Sequence, residues 1–194
     1  MKKRIVSMEL LRIIAMMMVV MLHYLGKGKL LEPLTGEISA NGYAAWILES
    51  LSIVAVNVYM LISGYFLVNS RFRISRVAEL ICQVLFYSVL VEVVLVVSGL
   101  VGKDVLTFNR VLEIIFPLQM EHYWFMTAYI IMYLFSPLLS VAVQHMEQKQ
   151  LRNTILLLLL FFSVSKSVLP VKLMIDQKGY DGIWFICVFL VAAY

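Results

Sequence analysis

Three ionisable side chains interrupt the first apolar run of the sequence: Glu9, Arg12 and His23. His23 follows Arg12 by eleven positions, so a helix of about 100° per residue carries both on one face, roughly 16 Å apart along its axis. Glu9 precedes Arg12 by three positions, the spacing at which opposite charges pair on a helix. A neutral imidazole is a proton acceptor near neutral pH, and ionisable groups at membrane depth indicate a functional site. We treat these three residues, called the polar strip below, as candidate catalytic residues.

Simpler interpretations exist for Arg12 and for His23. Arg12 lies near a helix end, where its side chain could reach the headgroups. His23 could be an interfacial histidine beside Tyr24. Lipid would expel three such groups on one face, so we expect polar partners inside a helix bundle. Asn57 lies deep in the second apolar run and is a candidate hydrogen-bond partner.

A second candidate site is the arginine loop, residues 69–76, which contains R-F-R-I-S-R. Short cytoplasmic loops of membrane proteins are rich in basic residues, and that preference alone would explain these arginines. Guanidinium groups also bind phosphate bidentately. Arg73 and Arg76 therefore predict an anion site for a phosphorylated cofactor or co-substrate.

The composition assigns the chain to a bilayer. Of its 194 residues, 62% are hydrophobic and 14% are charged, against about 25% charged in soluble domains. Mean hydropathy is +0.93. These values exclude a soluble enzyme and a nucleic-acid-binding module, despite the net charge of +4. The two cysteines, Cys82 and Cys187, lie in separate apolar runs and predict neither a disulfide framework nor a metal site.

The apolar runs predict an all-α fold, a polytopic transmembrane helix bundle with five full spans and a truncated sixth. The five spans are residues 8–25, 46–68, 77–101, 123–143 and 153–169. The sixth begins near residue 182, and its apolar part is too short to cross a bilayer before Tyr194. We therefore expect residues 1–194 to be one transmembrane domain that is incomplete at its C-terminus. Residues 105–119 are too short and too polar to span, and predict an interfacial or re-entrant piece on the outer side.

The basic residues predict the orientation. Eight lie before the first span, in the arginine loop and between spans four and five, against six in the alternate loops. The eight crowd short loops at membrane ends, where the positive-inside preference is strongest. We therefore expect the N-terminus on the inner side.

Four motifs resemble those of the membrane acyltransferase-3 family. The motifs are residues 9–23, with ten residues between Arg12 and His23; V-Y-M-L-I-S-G-Y-F-L at 58–67; Arg73-Ile-Ser-Arg76; and H-Y-W-F at 122–125, followed by Tyr133 and Pro137. The resemblance runs from about Arg4 to the chain end and implies a ten-helix fold, of which this chain covers the first half to two thirds. Many members have acidic residues soon after the His-x-Trp motif, and residues 126–130 have none. This departure suggests the branch found near surface-polysaccharide genes.

The resemblance implies transfer of an acyl group, usually acetyl, from cytosolic acyl-CoA to a hydroxyl of a cell-surface glycan. It implies that His23 is the general base, that Arg12 orients the donor or supports the strip with Glu9, and that Arg73 and Arg76 hold the phosphates of the co-substrate. A covalent acyl-histidine intermediate is left open.

We expect three residues on the substrate side: His122, Trp124 and Asn57. The expected partners are the lipid bilayer of the plasma or inner membrane, the glycan and acyl-CoA, with no nucleic acid, bound cofactor or metal. One alternative is a transporter or flippase for a glycan or its lipid carrier, since intramembrane Glu, Arg and His also suit a proton-coupled path. The other alternative is an inactive fragment.

Overall fold

A computed structural model describes residues 5–102, 107–118, 123–168 and 182–194. Within these ranges the chain is helical and has no strand, which confirms the all-α prediction. The helices are α1 Val6–Lys27, α2 Ala40–Ser52, α3 Ala55–Leu67, α4 Ile74–Val97, α5 Phe108–Ile115, α6 Trp124–His145, α7 Gln148–Leu159, a π-helical turn Leu160–Val164, α8 Ser165–Val168 and α9 Gly182–Ala193.

Four helical stretches in the described ranges are long and apolar enough to cross a membrane: Val6–Lys27, Ala40–Leu67, Ile74–Val97 and Trp124–His145. They correspond to the first four predicted spans, with two corrections. The second begins at Ala40 rather than Trp46 and consists of two helices, α2 and α3, separated by a turn at Ile53 and Val54. The third ends at Val97 rather than Val101, because Gly99 adopts a φ of 73°, a left-handed conformation that ends helices.

Residues 153–168 of the predicted fifth span, 153–169, fall on a helical segment that continues from α7 through the π-helical turn into α8, and residue 169 lies outside the described residues. Helix α7 begins before Asn153 because Glu147 and Gln150 form a capping box at its N-terminus. The total number of spans and the orientation of the chain stay predictions.

The largest apolar core lies where α9 packs between α3 and α6. Phe185 and Phe189 of α9 are completely buried, together with Met60 of α3 and Met132 of α6. Helix α3 approaches α9 closely at Gly64, where an added Cβ would lie 2.8 Å from Cβ of Ala192. A residue without a side chain is therefore required for this packing.

Helix α5 falls within the segment predicted to be a short non-spanning piece, and it is held against α4 by an ion pair. Arg110 Nη2 lies 2.8 Å from Glu92 Oε2, and Arg110 Nε lies 3.2 Å from Glu92 Oε1. Glu92 is buried, and Glu113 binds the third guanidinium nitrogen at 3.2 Å. The intramembrane carboxylate of α4 is thus neutralised by the short helix that follows it.

Candidate active site

The Glu9 and Arg12 pairing expected from their spacing is present. Arg12 Nη1 donates to Glu9 Oε1 at 2.8 Å. The guanidinium also lies over the Phe66 ring, 5.3 Å from its centroid, and the Tyr59 hydroxyl donates to the Arg12 carbonyl at 3.0 Å. Phe66 belongs to the Ser-Gly-Tyr-Phe motif, so α3 brings the first two sequence motifs into contact.

The polar strip is less enclosed than expected. The side chains of Arg12 and Glu9 are 37% and 49% exposed, and His23 is also exposed. Helix α3 contacts Arg12 of the strip through Tyr59 and Phe66.

The ring orientation of His23 is set by its own helix. Nδ1 lies 2.8 Å from the carbonyl oxygen of Val19, one turn earlier. A carbonyl only accepts hydrogen bonds, so a neutral ring in this position carries its hydrogen on Nδ1. The Nε2 lone pair is then left to accept a proton, which is the state that a general base requires.

His23 lines a cavity of about 420 Å³, called the His23 cavity below. Four helices contribute to it: α1 with His23, α2 with Glu49, α3 with Val56 and α6 with Trp124. A volume in this range suits a small-molecule site. His23 and Trp124, two of the predicted site residues, therefore line one cavity although they are 101 positions apart in the sequence.

The other two predicted substrate-side residues have different outcomes. Asn57 does not bond to the polar strip; its Oδ1 accepts from Trp184 Nε1 of α9 at 2.9 Å. Because Trp184 competes for the amide oxygen, Asn57 holds α3 against α9 instead. His122 lies outside the described residues.

The arginine loop packs against α6. Immediately before the loop, Gln144 Nε2 of α6 donates to the Val68 carbonyl at 3.3 Å. Within the loop, the Tyr133 hydroxyl of α6 lies 3.2 Å from both the backbone nitrogen and the backbone oxygen of Arg73, accepting from the first and donating to the second. The Tyr133 ring also packs on Phe72 at 5.2 Å between centroids. The main chain of the loop is therefore fixed by α6.

The two candidate anion-binding side chains stay accessible. Arg76 Nη1 lies 3.1 Å from Glu79 Oε2, and both side chains are 50% exposed, so water screens this pair and a phosphate can compete for the guanidinium. Arg73 is exposed, and its guanidinium has no ion pair with any described residue.

A hydrogen-bonded clamp ties the loop after α1 to the start of α2, the helix that carries Glu49. Glu32 accepts from the backbone and the hydroxyl of Ser39, the N-cap residue of α2, and its carbonyl accepts from Trp46 Nε1 at 3.0 Å. The hydroxyl and backbone hydrogen bonds from Ser39 lower the pKa of Glu32 below its ordinary value.

Two residues that sequence reasoning left without a role, Glu49 and Tyr133, help form these sites. In the sequence Glu49 is a carboxylate within the second apolar run, and Tyr133 follows the H-Y-W-F motif, and neither pattern assigns the residue a role. No cluster of three or more histidine, cysteine or acidic side chains that could hold a metal ion occurs in the described part of the chain.

The four apolar helical stretches of membrane length define an integral-membrane protein. The His23 cavity and the arginine loop lie on the same helix bundle and form its candidate transfer site. The sequence profile of the acyltransferase-3 family, described as an acyltransferase domain, matches residues 5–194. The chain therefore belongs to the acyltransferase-3 family, and acyl transfer is the activity that this family membership assigns to it. No curated protein and no solved structure matches the chain.

Proposed function

We propose that this protein transfers an acetyl group from acetyl-CoA, bound from the cytosolic side of the cell membrane, to a hydroxyl of a cell-surface glycan. The observation that supports this most directly is the His23 cavity, in which an imidazole with a fixed Nδ1 hydrogen bond meets Trp124 from α6. Aromatic walls with a few polar groups are typical of small-molecule sites.

In the proposed reaction the acceptor hydroxyl oxygen attacks the carbonyl carbon of the thioester, and Nε2 of His23 takes the hydroxyl proton. The carbon–sulfur bond then breaks, and the imidazolium returns the proton to the departing thiolate of CoA. Glu9 keeps the Arg12 guanidinium oriented, and Arg12 in turn orients the donor. No other reactant is required.

The donor is proposed to bind the arginine loop through its phosphates. Arg73 has an accessible guanidinium, and Arg76 shares its own with a half-exposed carboxylate that a phosphate can replace. Replacing both by alanine should weaken acetyl-CoA binding by about 10-fold or more, since a hydrogen bond to a charged group contributes about 1.5–3 kcal/mol. Isothermal titration with acetyl-CoA measures this, with the Lys149→Ala and Arg152→Ala double variant as control. Equal affinities would remove the loop from the proposal.

The decisive experiment for the reaction compares two histidines with the same local geometry. His145 Nδ1 lies 2.9 Å from the Val141 carbonyl on α6, as His23 Nδ1 does from Val19 on α1, yet His145 is not part of the His23 cavity. His23→Gln should lower O-acetylation of the surface glycan of expressing cells by about 10²–10⁴-fold. His145→Gln should leave it at the wild-type level. Wild-type acetylation by His23→Gln would contradict the general-base assignment and would favour the alternative that the protein is a transporter.

A further inference from the structure

Glu49 of α2 lines the His23 cavity together with the ionisable residues of α1. Its Oε2 is buried and has no hydrogen-bond partner among the described residues. Lys27 lines the same cavity, but no ion pair joins it to Glu49. The carboxylate is therefore not explained as half of a structural salt bridge.

A buried carboxylate oxygen without a donor is costly, because that oxygen has lost its contact with water and has gained no hydrogen bond in return. Buried polar atoms of this kind are uncommon, and those that exist call for an explanation such as a ligand that supplies the missing donor. Glu49 lines a cavity large enough for such a ligand, next to the proposed general base. The missing donor is thus expected from a molecule bound in the His23 cavity.

The backbone beside Glu49 gives an independent indication. The second membrane-length stretch is interrupted at Ile53 and Val54, so α2 ends three residues after Glu49 and α3 begins just before Val56. Both Glu49 and Val56 line the cavity. Interrupted helices at membrane depth occur where the backbone lines a cavity or a binding site.

We infer that Glu49 binds the acceptor: its carboxylate accepts a hydrogen bond from a second hydroxyl of the acceptor and so holds the reacting hydroxyl at Nε2 of His23. This inference rests on the proposed function and makes it more specific, since the acceptor must then carry at least two neighbouring hydroxyls. A sugar ring meets that requirement and can also lie against Trp124, whereas an alcohol with a single hydroxyl cannot satisfy both His23 and Glu49.

The test measures the Michaelis constant of each of the two substrates separately, with the full-length chain purified in detergent. The probes are acetyl-CoA and the surface glycan purified from the expressing cells. Glu49→Ala should raise the KM for the glycan by about 10–100-fold, because a charge-assisted hydrogen bond is lost. The KM for acetyl-CoA should change by less than about twofold. Glu49→Gln keeps the shape and one acceptor oxygen but not the charge, so its KM for the glycan should lie between those of wild type and Glu49→Ala.

Glu37→Gln is the matched control, since Glu37 is an exposed carboxylate in the loop before α2 and does not line the cavity. A structural role for Glu49 predicts equal rises in both KM values or a fall in kcat alone, and either result would overturn the inference. Should Glu49→Ala fail to fold, the same comparison with Glu49→Gln decides. If His23→Gln is inactive while both Glu49 variants keep the wild-type KM for the glycan, this inference fails alone. If His23→Gln transfers at the wild-type rate, the proposed function fails with it.

Discussion

Trp124 and Tyr133 are nine positions apart on the uninterrupted first part of α6, an axial rise of about 14 Å. Trp124 lines the His23 cavity, and Tyr133 fixes the main chain of the arginine loop at Arg73. One helix therefore sets the spacing between the two candidate sites. In the proposed reaction, the arm that joins the thioester of acetyl-CoA to its phosphates covers a distance of this order.

Removing the Tyr133 hydroxyl should loosen the arginine loop without removing a charge. Tyr133→Phe deletes both hydrogen bonds to the Arg73 backbone, each contributing about 0.5–1.5 kcal/mol, and we expect acetyl-CoA affinity to fall by about 3–10-fold. The change should appear in the KM for acetyl-CoA more than in kcat. Tyr129→Phe, on the same helix, removes a hydroxyl that has no hydrogen bond to a described residue, so this variant should bind as wild type does. If Tyr133→Phe binds acetyl-CoA with the wild-type affinity, the Tyr133 hydroxyl does not organise the arginine loop.

The distance along the chain between two contacting residues decides whether their contact could be predicted from the sequence. Local spacing correctly predicted the Glu9 and Arg12 pair, because a helix alone determines which side chains meet three positions apart. The contact between Asn57 and Trp184 joins residues 127 positions apart, and no local pattern encodes it. The interruption at Ile53 and Val54 was missed because neither glycine nor proline marks it.

The ion pair between Arg110 and Glu92 should contribute more to the free energy of unfolding than the pair between Arg110 and Glu113. Arg110→Ala leaves the buried Glu92 carboxylate without its bidentate partner, at a cost of about 1–3 kcal/mol once the partial exposure of Arg110 is taken into account. Glu113→Ala removes a pair in which both side chains are about one third exposed, at a cost below about 1 kcal/mol. Thermal unfolding in detergent measures both. Equal losses would indicate that the Glu92 pair does not hold α5 to α4.

Gly64→Ala should weaken the packing of α3 on α9. The new methyl group would lie 2.8 Å from Cβ of Ala192 and 3.2 Å from Cα of Phe189, and neither atom can move without its helix. Overpacking of this kind costs about 1–3 kcal/mol. Gly26→Ala is the matched control, since a Cβ there meets nothing within 4 Å. A Gly64→Ala variant as stable as Gly26→Ala would show that the two helices separate easily.

The hydrogen bonds between Glu32 and Ser39, which form the clamp before α2, should make the stability of the fold depend on pH in the acidic range. Because the pKa of Glu32 is lowered in the folded chain, its contribution to stability is complete above the ordinary value of 4.5 and is lost as the pH falls through the lowered one. Ser39→Ala should move the pKa of Glu32 back toward 4.5, so this variant should lose part of the pH dependence of unfolding on acidification. Glu37→Gln should keep that dependence. Identical acid profiles for wild type and Ser39→Ala would contradict the clamp.

The orientation can be tested by labelling single cysteines after replacing Cys82 and Cys187. Thr35→Cys lies in the exposed loop between α1 and α2, and Ile74→Cys lies in the arginine loop, where Ile74 is 70% exposed. An inside N-terminus predicts that a membrane-impermeant maleimide reaches position 35 in intact cells and position 74 only after permeabilisation. Labelling of position 74 from outside would reverse the orientation and move the arginine loop away from cytosolic acetyl-CoA.

The packing of α9 against α3 also bears on how the chain assembles during synthesis. The two helices are adjacent in the bundle but more than a hundred residues apart in the sequence, so the face of α3 around Met60 and Gly64 must wait for α9. At about 5–20 residues per second, translation from the end of α3 to the end of α9 takes roughly 6–25 s. During that interval the face of α3 that α9 will cover is exposed to lipid and to other inserting helices. Membrane insertion of this chain is therefore a process in which a late helix must reach an early one before a competing helix does.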